Sequence, residues 1–579
     1  WLSSSYLELT PSVEGTDLYL DNPMTDITFH YNASTATTTA IGYVNGQITT
    51  LGNGSTWMVA DLYSGTCISL SGSSPMLRMS YQIGDVHYFD ACGGGDVELW
   101  AHNTSNGTLW AVTDINTAGH SYVGGYLDVL VGDTLFFNAY DGSDYHLWAH
   151  DTSNHSTWKV IESNSNSAVG AGQGADLLLI HGDVFYFAGD LGNGMELLAY
   201  NTSNGSVWEV VDIASGSAGS YPDSIHKWEH RTGPILNDEV FFFYAGTSSS
   251  NRELWAYNIS NSTAWEAYAI NTNVYYSGNV QYIAHTEDVI YISGECTTNC
   301  NPTSVGNELW AYNATNQSGW LVADISATTQ YSNSHPGEYM PDGYEPLMIE
   351  DTFYFDAHVQ GYGRELWAHN TSNGTTWQVA DLRHSSTGDS NPGYYTNGFT
   401  HDGRLYFDAD DGVKGRELWV YDPSNASTWR LTDINPNSGS SIRGFVGIFG
   451  DIFYFDADDG TYGRELWAYD PSNESSWLVE DINTVFNYPS GTLPSFPAEA
   501  KLIGDTIYFR ATDQSNGYEL YAYQPAEITS SGSSGTCSIS PSLPAGLSID
   551  SSTCTISGTP TVETSNTTYT VTAVISGVT

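Results

Sequence analysis

Asparagine residues in N-x-[ST] tripeptides are the first candidates for chemistry, because the side-chain amide in this context accepts an N-linked sugar. The acceptor positions are Asn32, Asn53, Asn103, Asn106, Asn154, Asn201, Asn204, Asn258, Asn261, Asn313, Asn316, Asn370, Asn373, Asn425, Asn473 and Asn566. Most of them lie in short polar segments that also suit tight hairpin turns, so they could be turn residues alone. Their recurrence at one place in a repeated unit favours N-linked glycans, and with them an extracellular, cell-surface location.

Two acidic segments are candidates for a cation site. Asp408, Asp410 and Asp411 form one, and Asp456, Asp458 and Asp459 form the other. Carboxylate oxygens are the ligands that Ca²⁺ prefers, although neither segment has the full spacing of a known calcium loop. We therefore expect Ca²⁺ as the one possible cofactor.

The overall charge limits the kinds of partner. Lys and Arg number 15 against 66 Asp and Glu, which gives a formal net charge of -51. No basic patch can be assembled to neutralise phosphates, so nucleic acid is excluded as a partner. Such acidity could also serve solubility in a salty medium, where charges are screened over about 8 Å.

Six cysteines occur, and their even number and spacing suggest disulfides. The expected pairs are Cys296 with Cys300, Cys537 with Cys554, and Cys67 with Cys92. A metal site is the alternative, but no histidine lies at a spacing that would complete a tetrahedral zinc set.

The sequence lacks the short signatures of common catalytic sites. No G-x-S-x-G, H-E-x-x-H or phosphate-binding loop occurs. His102, His150 and His369 occupy one equivalent position at which other copies have Tyr, which favours a packing role. We therefore expect that the chain is not an enzyme.

The elements that position these residues follow from a repeat. Two aromatic positions recur ten residues apart, the first in an E-L-W-A stretch and the second in a T-W-x-V stretch: Trp100/Trp110, Trp148/Trp158, Trp255/Trp265, Trp310/Trp320, Trp367/Trp377, Trp419/Trp429 and Trp467/Trp477. Each copy contains four strand-like segments in about fifty residues, the pattern of an antiparallel propeller blade. We expect an all-β fold in which both tryptophans of each copy pack in the core.

The E-L-W segments resemble a bacterial repeat family named after its ELWxxDGT motif, with [ND]-x-S-N in place of D-G-T. The resemblance covers about residues 41–525 and implies a β-propeller, which we place at 41–526, without a shared catalytic function. The last copy lacks a T-W strand, and Ser55–Leu62 supplies one at the other end of the chain. This N-terminal strand should close a ring of about nine blades.

Successive turns of a four-stranded blade alternate between the two rims of the ring. The acceptor asparagines should thus lie on one rim, and the turns at Asp410–Gly412 on the other. We expect one rim to be sugared and the other to be acidic.

After Pro525 the segment from Leu543 to Thr561 resembles the cadherin-like modules of the putative-Ig family, which occur in large bacterial and archaeal surface proteins. We place an Ig-like domain at 527–579, with its first strand or strands at 22–40, where Asp26–Asn32 reads as a strand. Residues 1–21 would then pair with the Ig-like module of a neighbouring copy.

These expectations give two functions. The chain could be the structural subunit of an extracellular, glycosylated filament or surface fibre, assembled head to tail with copies of itself by strand donation. Alternatively, it could be a carbohydrate-binding or cell-binding adhesin module. No apolar run is long enough to span a membrane.

Overall fold

A computed structural model gives the fold. It describes residues 18–22, 27–32, 37–44, 47–50, 55–62, 66–67, 70–71, 75–76, 78–125, 127–161, 177–216, 218–225, 234–247, 251–271, 277–296, 305–327, 332–340, 346–383, 388–436, 442–449, 451–485, 493–513, 515–525, 535–540, 547–549, 556–558 and 570–575. The chain forms two compact units, 58–503 with 507–522, and the two chain ends with 504–506.

The strands before the first blade differ from the expected domain boundaries. They are β1 Leu18–Asn22, β2 Ile27–Asn32, β3 Thr37–Val44, β4 Gln47–Thr50, β5 Ser55–Ala60, β6 Thr66–Cys67 and β7 Leu70–Ser71. Strands β1 to β4 pair consecutively into a separate antiparallel sheet, and β6 pairs with β7. Strand β3 runs through residues 40 and 41, where a domain boundary was expected. Strand β2, expected in the Ig-like domain, pairs with β1 and β3, and the strand expected at 1–11 lies outside the described residues.

The ring is all-β and contains nine four-stranded antiparallel blades, as expected. The strands of blades 1 to 4 are β8 Ser80–Ile83, β9 Val86–Gly93, β10 Asp96–Asn103, β11 Leu109–Ala111; β12 Asp128–Val131, β13 Thr134–Tyr140, β14 Tyr145–Asp151, β15 Ser156–Ile161; β16 Leu177–His181, β17 Val184–Gly189, β18 Glu196–Asn201, β19 Ser206–Val211; β20 Ile235–Leu236, β21 Val240–Gly246, β22 Arg252–Asn258, β23 Thr263–Tyr268. No α-helix occurs in the described residues.

Blades 5 to 9 repeat this meander, and the last one takes its fourth strand from the N-terminal side. Their strands are β24 Gln281–His285, β25 Val289–Cys296, β26 Gly306–Asn313, β27 Ser318–Ala323; β28 Met348–Ile349, β29 Thr352–Val359, β30 Gly363–Asn370, β31 Thr375–Ala380; β32 Phe399–His401, β33 Arg404–Asp410, β34 Arg416–Asp422, β35 Ser427–Arg430; β36 Ile442–Phe449, β37 Ile452–Asp458, β38 Arg464–Asp470, β39 Ser475–Glu480; β40 Ala498–Ile503, β41 Thr506–Thr512, β42 Tyr518–Gln524 and β5.

The core lies between neighbouring blades. Second and third strands carry Phe, Tyr, Leu and Ala on both faces, as expected for strands sandwiched between two sheets. Phe353 and Phe355 of blade 6, for example, pack on Leu309 and Ala311 of blade 5. At roughly 25 cal/mol per Å² of apolar area, these aromatic side chains supply much of the blade-to-blade adhesion.

The expectation that both tryptophans of each copy are core residues needs correction, because among the described repeat tryptophans only Trp310 is fully buried. Trp310 on a third strand is fully buried, whereas Trp320 on the following fourth strand is 39% exposed. Fourth strands form the outer circumference, so an indole there can cover the edge of the next blade while one face stays in water. Trp265 illustrates this, since its Nε1 donates to the Tyr312 hydroxyl of the next blade over 3.2 Å.

Strand β5 closes the ring in the predicted place. It joins β42 as the fourth strand of blade 9. The backbone N–H of Leu62 donates to the Glu519 carboxylate over 3.1 Å. Phe89 of blade 1 packs in one cluster with Tyr508 and Leu520 of blade 9, so the last blade contacts the first.

The C-terminal segment has four described strands, β43 Gly535–Ser540, β44 Leu547–Ile549, β45 Ile556–Gly558 and β46 Thr570–Ile575. β43 pairs with β46, and β44 pairs with β45, in both cases antiparallel.

Candidate functional site

Eight hairpin turns between third and fourth strands carry the acceptor asparagines of the ring. In blade 1, Asn103 ends the third strand and Asn106 lies exposed at the tip of the turn. The Asn106 Oδ1 accepts hydrogen bonds from the N–H and hydroxyl of Thr108, over 2.9 and 2.7 Å. Such Asx turns explain why Asn recurs here, and they leave the tip accessible.

The acceptor turns share one rim with the turns between first and second strands, and the two kinds of turn are bonded together. The N–H and hydroxyl of Thr104 both donate to the Asp85 carbonyl oxygen, over 2.8 and 3.0 Å. Thr371 bonds the Asp351 carbonyl in the same way. We call this edge of the ring the acceptor rim.

The expectation that one rim is sugared and the other acidic needs correction. Every turn between a first and a second strand contains an acid, and these turns lie on the acceptor rim: Asp85, Asp133, Asp183, Asp238, Asp288, Asp351, Asp402, Asp451 and Asp505. Both rims are therefore acidic. Of the remaining acceptors, Asn32 is the last residue of β2, and Asn53 and Asn566 lie outside the described residues.

The opposite rim exposes aromatic side chains. It consists of the turns between second and third strands and the connections from one blade to the next. Tyr221, Tyr362, Tyr394 and Tyr462 lie there, with 43%, 61%, 44% and 40% of their surface exposed. We call this edge the tyrosine rim.

A dense aromatic cluster forms part of the tyrosine rim at blades 6 and 7. The rings of Tyr339 and Tyr394 meet edge to face with centroids 4.7 Å apart, and Tyr394 meets Tyr395 at 4.6 Å. The guanidinium of Arg416 lies 5.3 Å from the Tyr394 ring centroid, a cation–π geometry. Arg443 donates to the Tyr395 hydroxyl over 3.0 Å.

Buried aspartates anchor the arginines beneath this cluster. Asp408 is fully buried and forms an ion pair with Arg416. It also accepts hydrogen bonds from the backbone N–H groups of Tyr395 and Thr396, over 3.1 and 2.8 Å. In blade 6, Asp356 forms the same kind of pair with Arg364. The two pairs fix the connections that carry the tyrosines.

These contacts bear on the calcium hypothesis. Asp408 and Asp456 bind Arg416 and Arg464, respectively. The other four predicted ligands cap the turns of the tyrosine rim: Asp410 accepts from Gly412 N–H, Asp411 from Val413 and Lys414, Asp458 from Gly460, and Asp459 from Thr461 and Tyr462. Within the described ranges, no three His, Cys, Asp or Glu side chains converge as a metal-binding group.

Removing one member of the buried pair should be costly. We expect Asp408→Ala to lower the free energy of unfolding by about 3–5 kcal/mol, because Arg416 stays buried without its partner. The double variant Asp408→Ala with Arg416→Met should recover part of that loss. Asp433→Ala, which removes a partly exposed partner of Lys414, should cost less than about 1 kcal/mol. Chemical denaturation of the variants measures all three values, and equal losses at Asp408 and Asp433 would contradict this account.

The glutamate of the E-L-W segment is a second buried acid that the sequence did not single out. Glu365 is fully buried, and its carboxylate accepts from the N–H of Leu382 over 3.0 Å and from the hydroxyl of Ser390 over 2.6 Å. Glu308 and Glu465 bind the corresponding connections of blades 5 and 8. Each glutamate thus fastens a connection of the tyrosine rim to its blade.

Burial shifts the pKa values of these acids upward. Desolvation raises the pKa of Glu365 to about 7, and the pKa values of Glu253, Glu308 and Glu465 to about 8. The hydrogen bonds from Ser390, Ser334 and Ser495 oppose the shift without cancelling it.

The predicted packing histidines are buried. His102, His150 and His369 are 3% exposed or less. His150 and His369 each lie with Nδ1 2.8 Å from a threonine hydroxyl on the neighbouring fourth strand. Desolvation lowers the pKa of both to about 4, which keeps them neutral.

One cavity of about 390 Å³ opens among the innermost strands. Its lining includes Ser80 of blade 1, Phe445 of blade 8, and Glu499 and Lys501 of blade 9.

Of the cysteine side chains, those of Cys92 and Cys296 are described, and both belong to disulfides. The pairings with Cys67 and Cys300, and of Cys537 with Cys554, remain predictions.

The tyrosine rim was missed because its residues lie in irregular connections. A signal was present in the repeat, since Tyr362 and Tyr462 share the sequence Y-G-R-E-L-W. An exposed aromatic immediately before a repeated strand would have pointed to this edge.

Solved structures that align with the chain include enzymes. They are an oligogalacturonate lyase from Vibrio parahaemolyticus (12% identity, 69% of this chain and 100% of that chain, TM-score 0.33), a puromycin-hydrolysing peptidase from Mycobacterium tuberculosis (10%, 69% and 59%, 0.35) and an acylaminoacyl peptidase from Pyrococcus horikoshii (10%, 76% and 57%, 0.32). The expectation that this chain is not an enzyme is thereby contradicted and is withdrawn. Alignments at these scores assign no activity.

The sequence comparisons concern the C-terminal part. No curated protein matches the chain. No helix in the described part of the chain is long and apolar enough to cross a membrane. Residues 506–578 match the family described as Putative Ig domain, and the match includes β41 and β42 of blade 9 as well as the C-terminal segment.

Proposed function

We propose that this chain is an extracellular, N-glycosylated surface module whose propeller binds carbohydrate through the tyrosine rim. The observation that carries the proposal is the difference between the two edges of the ring. One edge presents eight acceptor turns, and the other exposes Tyr221, Tyr362, Tyr394 and Tyr462. Exposed aromatic side chains grouped on one edge mark an interaction surface.

The chemistry of this edge suits a neutral polysaccharide. The faces of exposed tyrosine rings stack on the C–H faces of sugar rings, and their hydroxyls bond to sugar hydroxyls. Arg416 and Arg443 lie beside Tyr394 and Tyr395, where they hold the rings in place. A ring that is fixed before binding loses little conformational entropy on binding.

Retention on immobilised polysaccharides tests this proposal. We expect the protein to be retained, and Tyr394→Ala together with Tyr362→Ala to reduce the affinity at least tenfold. The matched control is Trp208→Ala, which removes a 38% exposed aromatic on the outer circumference, and it should leave binding unchanged. Equal binding by the tyrosine variants and the full protein would exclude the rim as the site.

A filament subunit is the second candidate, and one observation favours it. The segment Trp1–Pro11 reads as a strand, and addition of a strand to an exposed sheet edge is a common way for chains to associate. We propose that this segment of a neighbouring copy adds a strand to the C-terminal domain, so that copies assemble head to tail.

Electron microscopy of the undenatured protein tests the filament. Filaments that disappear when residues 1–17 are deleted, a change that leaves β1 in place, would support strand donation if the melting temperature of the ring is retained. Single rings at high protein concentration, with or without the deletion, would contradict it.

A further inference from the structure

Five blades contain two consecutive acceptor tripeptides, whose asparagines lie three residues apart. We call the first member of each pair the inner asparagine and the second the outer asparagine. The pairs are Asn103 and Asn106, Asn201 and Asn204, Asn258 and Asn261, Asn313 and Asn316, and Asn370 and Asn373. We propose that only the outer asparagine carries the N-linked sugar, and that the inner asparagine is a capping residue of the turn. This inference rests on the proposed glycosylation.

The inner asparagine is committed to the turn. In blade 1, the Asn103 Oδ1 accepts from the N–H and hydroxyl of Ser105, over 3.1 and 2.8 Å, and from the N–H of Asn106 over 3.1 Å. The Asn103 carbonyl oxygen accepts from Gly107 N–H over 2.8 Å. Four groups of the turn therefore depend on the placement of this one residue.

A carboxylate performs the same task in the remaining three acceptor turns. Asp151, Asp422 and Asp470 occupy the inner position in blades 2, 7 and 8. Asp151 accepts from the N–H and hydroxyl of Ser153 over 2.9 and 2.6 Å, and Asp470 accepts from Ser472 over 2.8 and 2.6 Å. The turn thus requires an acceptor oxygen at this position and does not require an amide nitrogen.

The outer position behaves differently. Asparagine occupies it in all eight turns, always with Ser or Thr two residues later: Asn106, Asn154, Asn204, Asn261, Asn316, Asn373, Asn425 and Asn473. In the five paired turns the outer residue is exposed and the inner residue is only half-exposed. Asp never replaces Asn here, although Asp would also cap the turn, so the amide nitrogen itself distinguishes this position.

The inner acceptor tripeptide is also held within the sheet. Its middle residue in blade 1, Thr104, bonds the neighbouring turn through both its N–H and its hydroxyl. In blade 6 the inner amide Nδ2 of Asn370 donates to the hydroxyl of Thr352 over 3.0 Å. A sugar at this nitrogen would crowd the second strand, where Thr352 begins β29.

The transfer itself leaves the outer turn intact. The asparagine Nδ2 forms a bond to the anomeric carbon of a sugar carried on a lipid phosphate, the bond from that carbon to the phosphate oxygen breaks, and the amide releases one proton. One N–H remains. In blade 2 this hydrogen can keep the bond from Asn154 to the Asp151 carboxylate, which spans 2.7 Å.

Glycopeptide mapping of the full chain, secreted from a host with N-linked glycosylation, tests the inference. Enzymatic release of the sugars in ¹⁸O-labelled water converts each modified Asn to a labelled Asp that mass spectrometry locates. We expect label at Asn106, Asn204, Asn261, Asn316 and Asn373, and less than a tenth as much at their inner partners. Label at both members, or at the inner member alone, would overturn the inference and leave the proposed glycosylation standing. Absence of label everywhere would overturn both.

Matched substitutions within one turn give a second readout. Asn201→Asp should keep the glycoprotein mass and the melting temperature within about 1 °C, as aspartate already serves at this position elsewhere. Asn204→Asp should remove the mass of one glycan. Loss of one glycan from Asn201→Asp would overturn the assignment.

Discussion

The protein is expected to melt at a higher temperature at pH 5 than at pH 8, by roughly 5–10 °C. Burial raises the pKa of Glu253, Glu308 and Glu465 to about 8 in the folded protein, against 4.5 for an ordinary glutamate. Between pH 4.5 and pH 8 the folded state binds protons that the unfolded state lacks. Each such proton changes the free energy of unfolding by about 1.4 kcal/mol per pH unit. The stability is therefore present in acid and is lost as the pH rises through 8.

Buried histidines set the lower limit of this trend. The pKa of His87 is lowered to about 3 and those of His150 and His369 to about 4, mainly by desolvation. Below pH 6.5 the unfolded chain binds protons at these sites and the folded chain does not. The contribution of the histidines to the free energy of unfolding falls as the pH drops toward 4. The contribution of the buried glutamates reaches its full value near pH 4.5. We expect the maximum near pH 5.

Calorimetry from pH 4 to pH 8 at constant high salt checks this result, because salt screens the general repulsion of the acidic surface. Glu308→Gln mimics the protonated acid and should flatten the rise in melting temperature. Glu239→Gln, at an exposed turn residue, should leave it unchanged. If both variants follow the same curve as the full protein, the buried glutamates do not cause the pH dependence.

Deletion of residues 1–62 is expected to lower the melting temperature of the ring by at least 10 °C. The deletion removes β5, so β42 of blade 9 becomes an edge strand with exposed hydrogen-bonding groups. It also removes Leu62, whose backbone N–H donates a hydrogen bond to the Glu519 carboxylate. The cluster between blades 9 and 1 loses Val59 as well. Association of the truncated rings through the open edge should accompany the loss.

A shorter deletion provides the matched control for ring closure. Removal of residues 1–52 leaves β5 in place, and its melting temperature should stay within about 2 °C of that of the full chain. A synthetic peptide of residues 53–64 should restore the ring that lacks 1–62. If the two truncated proteins melt at the same temperature, β5 does not hold the ring closed.

The propeller could be predicted from the sequence because its signals are local and repeated. A missing T-W strand at one end and a spare one at the other end identified β5 as the closing strand, and the structure confirms nine blades with this strand in the last one. The sequence did not separate the first sheet from the ring, because β3 runs through residues 40 and 41 without a turn residue or a change in composition there.

The burial and the bonding partners of several residues depend on tertiary packing and could not be predicted from the sequence. Residue type does not distinguish an indole on an outermost strand from one between blades, so Trp320 was expected to be as buried as Trp310. Glu365 looked like one more surface acid until its two bonded partners, Leu382 and Ser390, were placed around it. Tyr394 lies in a connection without periodicity, and its position depends on the buried pair of Asp408 and Arg416.

The closing strand also determines how the ring would respond to a mechanical load. Strand β42 ends at the acceptor rim, as every third strand does, and β5 begins there, as every fourth strand does. A pull applied to both ends of the ring would therefore start at the same end of two adjacent strands. It would load their hydrogen bonds one after another, as in opening a zipper, instead of shearing them together. Tension along a fibre of such modules would open blade 9 first, at low force, and the other eight blades would extend afterwards.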